Sequence, residues 1–451
     1  MNTILLISAN RYKNPYPVYP IGISYLKTYI KRMLPDYDVC LFDFNREDYS
    51  SLKLVIEEQN PRYIGVSLRN IDGANSFDRS SFIPGYKEIL DEIRSSTSVP
   101  VVIGGAGFSV YPQLLFDELN PDFAIIGEGE QSWVNLVRIL DAGKDYSSVE
   151  GLVFRDGSGK IKVNEHVNYL KNLEVEFEDG LIDYYWTHSG MLNIQTKRGC
   201  CYHCIYCSYP IIDGRKIRTL NADLIVDNLL RLNREKGVRY VFFTDSVFNI
   251  CPEYNRELAE KIISSGLKIS WGAYFSPNNI TDEEMALFKR SGLTHIEFGT
   301  ESLCDVQLKN YGKHFTFEDV KKASDIALKN NVFYAHFLIL GGYGETDETI
   351  METMENSKKL NYTVYFPFVG MRIYPRTRLQ KIAIEEGVIS KDDLLLNPTY
   401  YISKNFDMQK MRSLARATGK AWSFPDDPHD PSMDLIRLKR KGLIWEFLRK
   451  P

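Results

Sequence analysis

The sequence predicts an α/β protein built from two parallel sheets in series: a doubly wound sheet, then a partial (β/α)6 barrel, then a small irregular C-terminal region. Three observations carry this. Short apolar runs alternate with helical periodicity up to about residue 145. The alternation stops and resumes on a new count from residue 191. The first strand of that second series leads directly into a cysteine-rich loop.

In the first series, Thr3–Ser8, Asp38–Asp43, Tyr63–Leu68, Val99–Gly104 and Phe123–Ile126 read as buried strands. Ile21–Leu34, Tyr49–Glu58, Pro84–Ser95, Tyr111–Glu118 and Glu130–Leu140 read as the helices between them. Strict alternation implies parallel strands joined by crossovers, and ligands of such sheets lie beyond the carboxyl ends of the strands. The loops there are Ser67-Leu68-Arg69-Asn70, Gly104-Gly105-Ala106-Gly107 and Gly127-Glu128-Gly129-Glu130. Glycine lets a ligand approach the backbone closely, although each loop alone is equally well a tight strand-to-helix turn.

Between the two series, residues 149–163 read as a hairpin turning at Asp156-Gly157-Ser158-Gly159. Residues 168–190 read as an acidic, aromatic connection, with Trp186 and His188 as packing residues.

In the second series the candidate strands are Leu192–Thr196, Tyr240–Thr244, Lys268–Ala273, His295–Gly299, Tyr334–Leu340 and Thr363–Gly370, with helices between them. Active sites of such barrels sit at the C-terminal ends of the strands. Polar residues recur there: Thr244-Asp245-Ser246 after the second strand, Glu297 and Gly299-Thr300-Glu301-Ser302 at the fourth, Gly341-Gly342-Tyr343-Gly344-Glu345 after the fifth, and Arg372, Tyr374 and Arg376 after the sixth. Glu345 is expected to cap the following helix, and either arginine suits a carboxylate partner. No Gly-Lys-Ser/Thr follows the glycine loop, which excludes a phosphate loop.

Composition narrows the class. Over 451 residues the formal charge is -4, with 44% hydrophobic and 25% charged residues, as in ordinary globular proteins. No basic run precedes the C-terminal end, so no dedicated nucleic-acid surface is expected, and no apolar stretch is long enough for a membrane span. The start lacks the basic region of a signal peptide. Seven cysteines, four of them clustered, suit a reducing cytoplasm.

Those four lie in Gly199-Cys200-Cys201-Tyr202-His203-Cys204-Ile205-Tyr206-Cys207. Cys200, Cys204 and Cys207 are spaced Cys-x3-Cys-x2-Cys, close enough for three thiolates to meet one iron-sulfur centre. A cubane 4Fe-4S cluster held by three cysteines keeps one iron open for chemistry. The rival reading is a structural zinc site completed by His203, which would more often show paired Cys-x2-Cys units. Cys201 could shift the register, but only Cys200 gives the x3-x2 spacing, so Cys201 reads as a bystander.

The x3-x2 spacing resembles the signature of the radical S-adenosylmethionine superfamily. The resemblance implies that the open iron chelates S-adenosylmethionine and that one electron cleaves it to a 5'-deoxyadenosyl radical. It also implies that Tyr206, Asp245, Ser246, Glu297 or Glu301, Gly341, Gly342 and Arg372 contact S-adenosylmethionine. The front sheet resembles the Rossmann-like cobalamin-binding-type domain of many such enzymes. Its cofactor residues would be Ser67, Leu68, Arg69, Gly104, Gly105, Gly107, Gly127, Glu128 and Gly129. The first histidine of the chain is His166, so cobalamin is expected without a histidine ligand.

The expected organisation is residues 1–145 as the cobalamin-binding-type domain, 146–190 as hairpin and linker, 191–388 as the radical barrel and 389–451 as a substrate cap. The expected activity is cobalamin-dependent methylation of an unactivated carbon, with a flavodoxin or ferredoxin as electron donor and a small molecule or biosynthetic intermediate as substrate. A radical cyclisation or rearrangement and a zinc-stabilised binding protein are the alternatives. No catalytic residue is singled out.

Overall fold

The computed structural model describes residues 2–451. The chain forms two units. One comprises the residues up to Gly73 with Ser80–Tyr184 and Ser208–Gly214; the other comprises Ala74–Arg79, Tyr185–Cys207 and Arg215–Pro451.

The first unit is organised by β1 (Asn2–Ser8), whose residues from Thr3 onward are buried. It is flanked by β2 (Tyr37–Asp43) on one side and β3 (Tyr63–Ser67), β4 (Val101–Gly104) and β5 (Phe123–Ile125) on the other, all parallel, in the order β2-β1-β3-β4-β5. Strand order reverses between β1 and β3, and such a switch point opens a crevice beyond the strand ends. The covering helices are α1 (Ile21–Met33), α2 (Tyr49–Gln59), α3 (Ile83–Ser96), α4 (Ala106–Val110), α5 (Pro112–Leu119) and α6 (Glu130–Asp141). The Asp48 carboxylate starts α2 by accepting from the Ser51 amide.

Two features differ from the sequence reading. The loop 104–107 continues into the short helix α4. The hairpin β6 (Leu152–Arg155) and β7 (Ile161–Val163) is not a separate bridge: β6 pairs antiparallel with β5 and extends the first sheet. Part of the expected connection is helical, as α7 (Asp179–His188), and α8 (Tyr209–Ile212), just past Cys207, packs beside α4 in the first unit.

The second unit is an open, all-parallel sheet ordered β8 (Leu192–Ile194), β11 (Tyr240–Phe243), β12 (Ser270–Phe275), β13 (Leu293–Glu301), β14 (Phe333–Leu340), β15 (Val364–Val369), β18 (Ala421–Trp422). The six expected strands are present, and β18 adds a two-residue seventh at the edge. Small ribbons flank it: β9 (Lys197–Arg198) with β10 (Arg218–Thr219), and β16 (Met371–Arg372) with β17 (Tyr400–Tyr401).

Helices α9 (Ala222–Lys236), α10 (Pro252–Ser264), α11 (Asp282–Arg290), α12 (Asp305–Asn310), α13 (Phe317–Lys329), α14 (Asp347–Ser357), α15 (Arg378–Glu385), α16 (Met408–Ala417) and α17 (Pro431–Lys439) complete it. Their starts are written in the sequence. Asn221 caps α9, and capping boxes open α11 at Thr281/Glu284 and α13 at Thr316/Asp319. Thr346 with Thr349 opens α14, so Glu345 does not cap this helix as expected.

The two faces of this sheet differ. The outer face buries Phe243, Trp271, Phe275, Phe298, Leu338 and Tyr365. The inner face carries Phe242, Tyr274, Glu297, Gly299, Phe337 and Phe368, by the period-2 alternation of strands. The last ten residues do not form a cap at the strand ends. Gly442 lies against Tyr240, Arg449 over the Phe333 ring at 4.2 Å, and Lys450 bridges Thr363. Tyr240 and Phe333 begin β11 and β14 and Thr363 precedes β15, so this segment covers the amino-terminal rim, away from the cysteine loop.

Candidate active site

The cysteine loop leaves β8 and is fastened at once. Asp245, just past β11, accepts at Oδ1 from the amides of Thr196 (2.7 Å) and Lys197 (3.1 Å). Its Oδ2 accepts from the Lys197 ammonium (2.8 Å) and from the Thr196 hydroxyl. The ion pair is buried, with side-chain exposures of 2% and 0%, and the Lys197 ammonium also donates to the Phe248 carbonyl at 3.0 Å. Asp245, expected to face S-adenosylmethionine, is therefore occupied in anchoring the loop. Ser246, the next residue, does the same, donating to the Gly199 carbonyl at 3.0 Å.

The loop is then clamped from two sides. The Ile205 amide donates to the Tyr311 carbonyl (3.1 Å), and the Ile205 carbonyl accepts from the Leu379 amide (2.8 Å). Gly312 permits the first contact, because a β-carbon there would stand 2.7 Å from the His203 carbonyl, and its φ of 75° is left-handed.

Cys200 is buried, Cys204 and Cys207 half-buried, Cys201 exposed, and none is in a disulfide. Burial pushes the Cys200 thiol up, opposed by hydrogen bonds from the Tyr202 amide and Ser246, and proximity to Cys204 and Cys201 adds to the rise. Crowded thiols of this kind need a cationic partner to ionise together. Lys313 supplies charge beside two of them. Its pKa is raised: burial disfavours the ammonium, but Glu301 and the thiolates of Cys204 and Cys207 outweigh it. The residues fit an iron-sulfur cluster held by Cys200, Cys204 and Cys207. His203 is a poor fourth ligand for zinc, since Arg215 Nη1 stands 3.2 Å from its Nδ1.

Tyr206 and Glu301 are brought together as part of the same group. The Tyr206 hydroxyl donates to Glu301 Oε1 at 2.6 Å, and Lys313 donates to that oxygen at 2.9 Å and to the Gly299 carbonyl at 3.2 Å. Glu301 has a φ of 66°, a backbone held outside the usual range where β13 loses register with β14. Glu297, the other expected carboxylate, is not in this group. It accepts from the Trp445 indole N–H at 3.1 Å, and burial raises its pKa to about 7.

The remaining expected contacts are satisfied internally. A β-carbon on Gly341 would stand 2.9 Å from the Phe406 ring, and one on Gly342 would overlap the Tyr311 hydroxyl. Glu345 folds back onto the Gly341 amide, and burial raises its pKa to about 8. Arg372 does not present its fork to a ligand: Nη1 donates to the Ile373 carbonyl (2.7 Å) and Nη2 to the Leu395 carbonyl (2.8 Å).

In the first unit the expected cofactor loops sit at the carboxyl edge. Gly105 and Gly107 are required by one another's neighbour: a β-carbon on either would stand 2.6 Å or 3.1 Å from the Leu68 carbonyl, to which the Gly107 amide donates at 2.9 Å. Gly104 has a similar constraint, the Ile125 carbonyl at 3.2 Å. Ser67 is half-buried and Arg69 exposed. Gly127 accommodates the His166 ring, and the Gly127 amide donates to Ser109 Oγ at 2.9 Å. Glu128 accepts from the Leu170 amide at 3.1 Å, while Gly129 has no close neighbour on its α-carbon, the nearest atom being 3.6 Å from an added β-carbon.

Sequence reasoning missed Asn10. It follows β1 at the switch point, is 4% exposed, and its Nδ2 is buried with no acceptor among the described residues. An orphaned donor at the crevice of a switch-point sheet fits an amide-rich ligand such as a corrin. Lys313 was missed too, since nothing in its local sequence distinguishes it from a surface lysine.

Residues 194–356 match the model of the radical SAM superfamily, and residues 8–137 match that of the B12 binding domain. The chain is similar to a tryptophan 2-C-methyltransferase of Streptomyces laurentii, 23% identical, covering 85% of this chain and 75% of that one. It is also similar to an anaerobic magnesium-protoporphyrin IX monomethyl ester cyclase of Rubrivivax gelatinosus, 27% identical over 60% of this chain and 52% of that one. The radical S-adenosylmethionine methyltransferase TsrM of Kitasatospora setae, solved with cobalamin and a 4Fe-4S cluster, shares the fold, with a TM-score of 0.82, 21% identity, and 96% and 90% of the two chains covered. Among the described residues no helix is long and apolar enough to cross a membrane. The thiol loop thus lies in the stretch that matches the radical SAM superfamily and the switch-point sheet, earlier in the chain, in the stretch that matches the B12 binding domain, so the chain combines a radical SAM domain with a B12 binding domain.

Proposed function

We propose that the protein is a cobalamin-dependent radical S-adenosylmethionine methyltransferase acting on an unactivated carbon of a small organic substrate. The observation that carries this is the presence, in one chain, of a cysteine loop clamped at the carboxyl ends of a parallel barrel and a switch-point sheet with an orphaned buried donor at its crevice. When bound, the cluster, S-adenosylmethionine and cobalamin supply one-electron cleavage and a transferable methyl group.

The chain's own residues bind and orient. Cys200, Cys204 and Cys207 hold the cluster. Lys197 and Asp245 fix the root of their loop. Lys313 balances the charge of two thiolates and, with Tyr206, holds Glu301 in place. Glu301 and Tyr206 are the residues proposed to meet S-adenosylmethionine; Gly341, Gly342 and Arg372 support the walls. Ser67, Leu68, Arg69, Gly104, Gly105, Gly107 and the 127–129 loop form the edge proposed for cobalamin, and Asn10, just after β1, offers it a buried donor. A small flavodoxin or ferredoxin is the proposed reductant.

The test is anaerobic reconstitution with iron, sulfide and hydroxocobalamin, then turnover with methyl-labelled S-adenosylmethionine. Bound cobalamin and label in a methylated product are expected. Protein that takes up no cobalamin, or a product without label, overturns the reading. The similarity to the ester cyclase favours one second reading, a radical cyclisation, whose product would gain no carbon.

A further inference from the structure

Helix α17 (Pro431–Lys439) is set into the surface inside out. None of its nine residues is buried. Met433, Ile436 and Arg437, spaced i, i+3, i+4, form its half-buried side, where the Arg437 guanidinium donates to the Ser189 carbonyl at 2.9 Å. Leu435, Leu438 and Lys439, at the same spacing, form the side that faces water. Leu435 is 62% and Leu438 75% exposed, the latter more than any other large apolar side chain among the described residues. An ordinary surface helix packs its leucines and solvates its arginine. Here the arginine is packed and the leucines are solvated.

Charge around this face is equally uneven. Residues 435–451 hold six lysines and arginines against one carboxylate, Glu446, in a chain whose formal charge is -4. Part of that charge is used internally, since Lys441 donates to the Trp186 and Thr187 carbonyls at 2.9 Å and 3.1 Å and Arg449 lies over Phe333. Lys439 and Arg440 are exposed, and neither has a carboxylate partner among the described residues. The Arg440 guanidinium lies 4.7 Å over the ring of Phe447, itself 44% exposed, so a third apolar side chain adjoins the cationic end of the helix. The acids at the other end are engaged: the Asp430 carboxylate accepts from the Ser432 amide at 2.9 Å, and Asp434 Oδ2 stands 2.8 Å from His429 Nε2.

Leucines and an aromatic ring that project beside unpaired cations match one kind of surface. An anionic bilayer takes apolar side chains below its headgroups and lysine or arginine at its phosphates. A nucleic acid would meet the cations and leave the leucines in water. A neutral apolar groove would take the leucines and leave the cations unpaired.

We propose that α17 and the chain that follows it to Phe447 form a peripheral docking surface for anionic lipid, with Leu435 and Leu438 inserted among the headgroups and Lys439 and Arg440 at the phosphates. Such a contact is reversible, because so few side chains fall far short of the grip of a membrane-crossing helix. None of these residues belongs to the thiol loop or to the strand ends, so docking is independent of the methyl-transfer reading.

The experiment is vesicle co-sedimentation of the full chain, with phosphatidylcholine vesicles prepared with and without phosphatidylglycerol. Binding about tenfold tighter to the anionic vesicles is expected, and it should weaken as salt rises. Lys439→Gln and Arg440→Gln should each cost about fivefold. Leu435→Gln combined with Leu438→Gln should cost at least about tenfold at unchanged lipid charge. Because both leucines project into water, this double variant should keep the parent's thermal midpoint; a lowered midpoint would show them packed in solution and overturn the proposal. No binding, equal binding to both kinds of vesicle, or binding indifferent to the leucines overturns it as well. So does light scattering that shows a dimer, dissociated by the leucine variant, in protein that ignores the vesicles, since this face would then belong to a second copy of the chain.

Discussion

Replacing Asp245 with asparagine should unfasten the thiol loop. The carboxylate takes donors from two amides, a hydroxyl and an ammonium, all buried. An asparagine side chain turns an NH2 group toward one pair of those donors, and with that group facing Lys197 the ammonium keeps the Thr196 hydroxyl at 2.8 Å, the Phe248 carbonyl at 3.0 Å and the Phe248 and Tyr254 rings at 4.5 Å and 5.5 Å, but no anion. Removing one member of a buried pair destabilises by about 3–5 kcal/mol, mostly because the partner's charge is left uncompensated. Lys197→Met should be milder, since three neutral donors still solvate the carboxylate. The double variant should be more stable than the sum of the two losses by at least about 1 kcal/mol, as for residues in one network. Anaerobic urea unfolding can be followed by tryptophan fluorescence, because Trp271 packs at 5.0 Å on Phe248, the residue whose carbonyl meets Lys197. Iron per chain after reconstitution gives the second readout and should fall with Asp245→Asn. Stability of Asp245→Asn within about 1 kcal/mol of the parent, with iron unchanged, would refute the anchoring role.

Three further outcomes are expected. Cys204→Ala should lose most iron, sulfide and the charge-transfer absorbance of the cluster, whereas Cys201→Ala should retain them, measured by metal analysis and optical spectra. Glu345→Gln tests the carboxyl whose pKa is raised to about 8: a group raised in the folded state is destabilising once ionised, so the parent should weaken as pH rises from about 4.5 through 8. The variant should gain on the order of 3 kcal/mol over the parent at pH 8 relative to pH 5, read from urea midpoints, and no pH-dependent gain would count against burial of this group. Deleting Gly442–Pro451 should lower the melting temperature sharply, since it exposes the surfaces that bury Leu443, Ile444 and Trp445, on the order of 5 kcal/mol of apolar burial; an unchanged melting temperature would show that the rim needs no cover.

The architecture was legible because its signals are local. Buried runs such as Ile4-Leu5-Leu6-Ile7 and caps such as Thr281 with Glu284 act within a few residues, and the three-thiol spacing is local too. The roles of strand-end residues were not. A glycine shows that a side chain is excluded but not what excludes it: at Gly341 and Gly342 it is Phe406 and Tyr311, and at Gly105 and Gly107 it is the Leu68–Asn70 backbone. Asp245 and Arg372 looked like ligand contacts because a polar residue at a strand end is equally suited to its own backbone. Glu297 meets Trp445 across 148 positions, and no local pattern foreshadows such a pairing.

The clamping of Ile205 has a wider effect. Its amide is bonded to the segment after β13 and its carbonyl to the start of α15, after β15 and β16, while the loop itself springs from β8 at the sheet's edge. This short peptide is thus a drawstring across the mouth of an open cylinder, tying its first stave to its fourth and sixth. On the cluster assignment proposed above, loading of the iron and closure of the barrel share this one peptide, so iron content and barrel stability are expected to fall together in variants that loosen it.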